Sequence, residues 1–198
     1  YNDNRILEEN YEGMLKYALF MIKRAGKWGG PYAKPMHLSH RNRKYAVNCG
    51  QSYGEWAEPN DVMAFKWYDF ASPHPEESTA YTYFTLKYVL EIAEILGKAK
   101  DKTLAKIKEY SEGAKRAYQE LVTKKKFTLD TDRQAKLVRP LYMGLLTQEQ
   151  EEFAKNRLIK AMENYGWRLG TGFLSTPFIL DVLAGLNVEY AYKLLENE

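Results

Sequence analysis

STAYTYFTLKYVLEIAEIL, residues 78–96, is followed after the five residues GKAKD by KTLAKIKEYSEGAKRAYQELV, residues 102–122. In the first segment Tyr81, Phe84, Tyr88, Ile92 and Ile95 recur at helical spacing, and Gly97 supplies a stop. In the second, Leu104, Ile107, Ala114, Tyr118 and Leu121 share one face. So short a connection between two long helices predicts an antiparallel αα-hairpin. This pair sets the fold class, because the rest of the chain repeats its pattern.

Working outward, Leu7, Tyr11, Met14, Leu15, Ala18 and Ile22 predict a helix from Asn4 to Ala25, capped by Asp3 or Asn4 and ended by Gly26. Tyr17, Leu19, Phe20 and Met21 lie outside that stripe, giving the helix more apolar arc than one partner covers. A fourth helix is predicted from Asp132 to Leu145, with Pro140 as a kink or boundary. Thr147-Gln148-Glu149-Gln150 is a capping-box pattern, opening a fifth helix to Asn164 with Ala154, Leu158, Ala161 and Tyr165 inward. Thr176-Pro177 opens a sixth. A last begins near Asn187, with Val188, Ala191, Tyr192 and Leu195 on its apolar side. No period-2 strand pattern is found, so the predicted class is all-α, with six to seven helices.

Composition narrows the function. The 198 residues are 45% apolar and 28% charged, as in a folded single domain rather than a disordered chain. No apolar run reaches a membrane span, so no membrane role is expected. Net charge is +3. The basic excess from Lys98 to Lys126 punctuates an amphipathic helix and reads as a solvated face, not a nucleic-acid surface. Cys49 stands alone, excluding a disulfide framework or thiolate metal site. The chain opens on Tyr1-Asn2-Asp3 without methionine, so the natural N-terminus is expected to precede it.

Residues 26–77 differ from the rest. They hold five of seven prolines, His37, His40 and His74, and three of four tryptophans. Disordered tracts are poor in aromatics, so this stretch predicts an ordered functional loop. His37 and His40 lack metal-ligand spacing, and no metal site is expected. No phosphate loop or G-x-S-x-G elbow is present. Trp28 and Trp67 read as packing residues. Trp56 reads either as a sugar-stacking residue, since an indole face suits the apolar face of a pyranose, or as a buried anchor of the loop.

Three segments carry a family resemblance. Tyr1 to Met14 (YNDNRILEENYEGM) resembles the "YGD-x-x-hLeenYxxMk" helix of bacterial α-L-rhamnosidases, glycoside hydrolase family seventy-eight. Tyr53-Gly54-Glu55-Trp56-Ala57-Glu58-Pro59 resembles its "GDW-x-x-P" loop, and Gly170 to Pro177 (GTGFLSTP) is similar to its "TGFLGTP" turn. The run Thr131 to Leu158 matches the intervening helix pair. Glu55 stands where the family usually has Asp, lengthening the carboxylate by one methylene, and Ser175 replaces a Gly. The resemblance implies an incomplete α/α toroid, an (α/α)6 barrel, with residues 1–198 part of one catalytic domain.

It also implies hydrolysis of terminal α-L-rhamnosyl bonds with inversion and no cofactor. The partners implied are a rhamnose-containing glycoside and the remainder of the parent domain. Separately, the broad apolar face of the first helix predicts that the chain self-associates, or binds the rest of its parent domain, through this helix and the neighbouring loop. The family's "DCPQR-x-E-x-x-GW" acid segment and "W-E-x-W"-like base segment do not occur here, so no catalytic residue is assigned and the chain is expected to be an inactive fragment. Trp56 and Glu55 are the candidate substrate-binding residues. Glu58, Asp61 and Asp69 are loop carboxylates read chiefly as structural. Two other readings stay open: a non-catalytic helical carbohydrate-binding or scaffold module, and another toroid glycosidase such as an unsaturated glucuronyl hydrolase, which would want an Arg/Lys pair in its pocket.

Overall fold

The computed structural model describes residues 3–27, 29, 35–50, 52–64, 66–68, 72–99 and 102–197, and every regular element longer than a bridge in them is helical. In chain order these are α1 (Arg5–Arg24), α2 (His40–Arg43), α3 (Pro75–Ile95), α4 (Lys102–Leu121), α5 (Gln134–Met143), α6 (Gln148–Asn164), α7 (Thr176–Leu186) and α8 (Val188–Leu195). The element beyond the seven read from sequence is α2, a single turn inside the long loop. It forms because Ser39 Oγ accepts the Asn42 N–H.

The α3–α4 hairpin is the centre, touching α1, α2 and α5. α3 starts at Pro75 rather than Ser78, because proline suits the first turn and Glu76 and Glu77 complement the helix dipole there. Its period was legible, but its phase was not. The buried positions are Glu77, Thr79, Ala80, Thr82, Tyr83, Leu86, Val89 and Ala93, while Tyr81, Phe84 and Ile92 are half-buried and Tyr88 and Ile95 are exposed. The physical reason is that α3 packs on two sides, so both faces are apolar and no single stripe stands out. Phe84 meets Phe178 and Tyr142 edge-on or tilted, joining α3 to α5 and α7.

Two large clusters follow. One joins Tyr11, Leu15, Ala18 and Ile22 of α1 to Leu86, Val89, Leu104 and Ile107 of the hairpin. The other gathers Tyr83, Tyr118, Leu137, Val138, Leu158, Met162, Ile179 and Leu183 from α3 through α7. A third, small one seats Tyr45 of the long loop on α4, where Gly113 makes room: a Cβ there would overlap the Tyr45 ring.

Local rules account for most ends. The capping box of α6 is complete, with Thr147 Oγ1 accepting the Gln150 N–H and Gln150 Oε1 accepting the Thr147 N–H. α5 runs through Pro140 instead of ending at it, and stops at Gly144, whose φ of +69° suits glycine. Tyr165 is not in the core stripe of α6; it caps the helix half-buried and bonds a loop, while Met162 fills the core. On α8 Ala191 is buried, whereas Val188, Tyr192 and Leu195 are exposed. Tyr17 and Phe20 on the outer side of α1 are exposed and stack at 6.3 Å, while Leu19 joins the α1–hairpin cluster.

Candidate functional site

Gly54 and Ala57 both take positive φ, +60° and +64°, and so bend the chain sharply on either side of Glu55 and Trp56. Gly54 also lets the His74 ring come close; a Cβ would meet it at 3.0 Å. Opposite lies the turn 170–176. Gly172 has no room for any side chain, since a Cβ would collide with the Trp56 carbonyl. The Phe173 N–H donates to that carbonyl at 2.8 Å. Segments far apart in sequence thus meet backbone to backbone.

Glu55 fixes this meeting. Its Oε1 accepts the Ser175 N–H at 2.7 Å, and its Oε2 accepts Ser175 Oγ–H at 2.8 Å and Arg139 Nη2–H at 2.7 Å. Both the Glu55 and Arg139 side chains are fully buried. The second guanidinium nitrogen of Arg139 lies 3.3 Å from Glu77 in the first turn of α3. Burial opposes charge on Glu77, but Arg139, Lys136 and His74 outweigh it and hold its carboxyl at about 2. Burial likewise opposes the Arg139 charge, yet Glu77, Tyr118 and Glu55 raise its pKa further above the usual arginine range.

Further clamps hold the loop. Glu58 is bound through both oxygens by Arg133, and burial still lifts it above its ordinary value. Tyr165 Oη–H donates to Asp61 at 2.8 Å, with Arg168 3.5 Å away and over the Tyr165 ring. Tyr81 Oη–H donates to the Leu174 carbonyl at 2.8 Å, and burial pushes this phenol up to about 12.

This polar framework presents aromatics to solvent. Trp56 is 52% exposed and Phe173 70%. Their rings lie 6.0 Å apart and 19° from parallel, and the Tyr53 ring stands 5.6 Å from that of Trp56, tilted by 30°. Beside them is a cleft of about 330 Å³, whose lining includes Tyr53, Trp56, Glu58, Asn60, His74 and Arg133. That is the lower end of small-ligand pocket sizes.

The two candidate binding residues are therefore adjacent but differ in kind. Trp56 is half exposed to solvent, whereas every Glu55 oxygen is occupied by protein donors. Ser175 and Glu55, the two departures from the resembled motifs, are bonded to each other. Trp67 is 64% exposed and meets Tyr68 edge-on, so it is not the packing residue the sequence suggested. Trp28 and Asp69 lie outside the described residues. Among described residues no group of three His, Cys, Asp or Glu could hold a metal, and no helix is long and apolar enough to cross a membrane.

Sequence reasoning missed Arg139, Glu77 and Phe173. Phe173 sat inside a quoted motif. Arg139, a charge inside the apolar run Leu137 to Leu141, carried a signal: such a residue on a core face needs a buried partner.

The family model of the bacterial α-L-rhamnosidase six-hairpin glycosidase domain matches residues 1–198. The chain belongs to that family, and its all-α fold is part of an α/α toroid. An α-L-rhamnosidase of Formosa agariphila is 27% identical over 99% of this chain and 19% of its own length. One of Streptomyces avermitilis is 27% identical over 73% of this chain and 13% of its own. The chain thus spans under a fifth of the relatives it matches. Solved structures agree in fold. The Dictyoglomus thermophilum α-L-rhamnosidase superposes with a TM-score of 0.71 at 27% identity, over 98% of this chain and 20% of that one. The Streptomyces avermitilis α-L-rhamnosidase complexed with L-rhamnose superposes with 0.71 at 23% identity, over all of this chain and 16% of that one.

Proposed function

We propose that residues 1–198 are the part of an α-L-rhamnosidase-like glycoside hydrolase domain that carries a sugar platform, and that the parent enzyme cleaves terminal α-L-rhamnosyl bonds with inversion. The observation that carries this reading is the exposed Trp56–Phe173 pair beside the cleft, in a chain matched throughout by a glycosidase family. Flat apolar rings suit the apolar face of a pyranose, and the methyl of a 6-deoxy sugar adds area worth about 25 cal/mol per Å². Arg133 is tied to Glu58 through both oxygens, so it is not free to receive a uronate.

Inversion needs an acid and a base roughly 6.5–9.5 Å apart, one of them able to hold a proton near neutrality. The buried carboxylates described around the loop are engaged by protein cations instead. Glu55 and Glu77 are held by Arg139, and Glu58 by Arg133. In this reading the acid and base come from residues beyond these 198, and the exposed faces of α1 and α8 meet the remainder of the domain or a second copy. The purified chain should then turn over aryl α-L-rhamnosides no faster than buffer. Robust turnover that Glu58→Gln abolishes would make a loop carboxylate catalytic and overturn this assignment.

Binding gives the direct test. Titration of the chain with L-rhamnose, followed by ligand-observed NMR, should show binding that Trp56→Ala weakens by about 1–3 kcal/mol, with the melting temperature nearly unchanged. Intact binding with a large loss of stability would make the ring a packing anchor.

A further inference from the structure

Two side chains that are fully buried, Arg139 and Glu55, and one that is nearly so, Glu77, form a three-member ionic cluster in the interior. Such clusters contribute little net stability, since apolar residues of the same volume often serve as well. What this one does supply is direction. Arg139 comes from the middle of α5, Glu77 from the first turn of α3 and Glu55 from the long loop. The Ser175 N–H and Oγ–H then close on Glu55, one on each oxygen. Trp56 is the residue next to Glu55, and Phe173 stands two before Ser175. The clasp is therefore one and two residues from the rings whose parallel setting makes the platform.

We propose that Arg139, Glu55 and Ser175 form a latch that sets where Trp56 and Phe173 stand, with Arg139 a positioning residue that never touches the ligand. The latch rests on the reading above only for its effect on sugar affinity; its effect on the rings stands apart from it. The second groove fits the same arrangement. Glu55 lines the aromatic cleft and Glu77 lines a neighbouring groove of about 650 Å³ beneath Tyr17, Phe20, Tyr81 and Leu174. Arg139 itself lines neither, so it can act on them only through the two carboxylates it holds.

The test uses the 198-residue chain with Trp28, Trp67 and Trp167 replaced by Phe, leaving Trp56 as its sole tryptophan. Glu55→Gln, Ser175→Ala, the double variant and Arg139→Lys are compared at a temperature where circular dichroism shows each to be folded. Time-resolved anisotropy of Trp56 should gain a fast component in every variant. L-rhamnose affinity should fall about tenfold in Glu55→Gln, the effect of losing one bond to a charged group. The double variant should bind no worse than Glu55→Gln alone, because both changes open one latch. Unchanged anisotropy in folded Glu55→Gln overturns the proposal, as does a double variant whose loss is the product of the single losses. Ser175→Ala keeps the ion pair and remains decisive if Glu55→Gln does not fold. Absence of L-rhamnose binding in the parent chain would count against the sugar reading, while the anisotropy still decides on the latch.

Discussion

The α3–α4 hairpin and the loop–turn pair around Trp56 are built by opposite means. The hairpin is held by apolar side chains, and its connection spans only residues 96–101, so periodicity alone announces it. The loop and turn are held by Glu55, Glu58 and Asp61, whose partners lie 75 to 120 residues away in sequence. Apolar packing is forgiving and repetitive. Ionic clasps are directional and specific to single atoms. The helices therefore follow from pattern, whereas the site depends on pairings that no local window contains.

The sharpest way to break this contrast is to remove the charge under the loop. Arg139→Met leaves Glu55 and Glu77 buried without their counterion, and should cost about 3–5 kcal/mol in urea unfolding. Adding Glu55→Leu and Glu77→Leu should recover much of that stability without restoring sugar affinity. A neutral Arg139→Met would show that the loop is held as the hairpin is, by apolar contacts.

What was legible in the sequence follows the same division. Helix existence, the α6 capping box, the glycine stops at Gly26 and Gly97 and the α1 stripe all rest on contacts within a few residues. The phase of α3 was misread because tertiary packing on two faces, not its own pattern, decides which residues are buried. Trp56 stands out in sequence as a ring on an aromatic loop, but its exposure is set by the Gly172 approach and the Ser175 contact, neither of which a local window contains. Glu55 neighbours Trp56 in sequence, yet its role is set by Arg139, 84 residues away in α5.

Acid should separate the two regions next. Glu77 is held at about 2 in the folded chain, below its ordinary 4.5, so it stabilises the fold above pH 4.5. That contribution is lost as pH falls from 4.5 toward 2, when the folded state must also take up the proton. A shift of this size is worth about 3 kcal/mol. Urea unfolding between pH 7 and pH 3 should show the loss in the parent chain and lack this component in Glu77→Gln. Hydrogen exchange at pH 3 should quicken first in residues 53–64 and 170–176, with the α3–α4 amides still protected. Simultaneous loss in both regions would mean that they unfold as one unit.

The smallest expected effect is also an ion pair, which makes it the control for the comparison. Lys87 and Glu91 lie 3.8 Å apart, one turn from each other on α3, and both are close to half exposed. Water screens their attraction, and holding two long side chains in one geometry has an entropic cost. Glu91→Gln should therefore change unfolding free energy by less than about 0.5 kcal/mol, and by still less in high salt. The same chemical change at Glu77, where the carboxylate faces a buried guanidinium, should cost several times more. If the two substitutions cost the same, burial is not what gives the loop cluster its strength, and the contrast between hairpin and loop reduces to one of sequence distance alone.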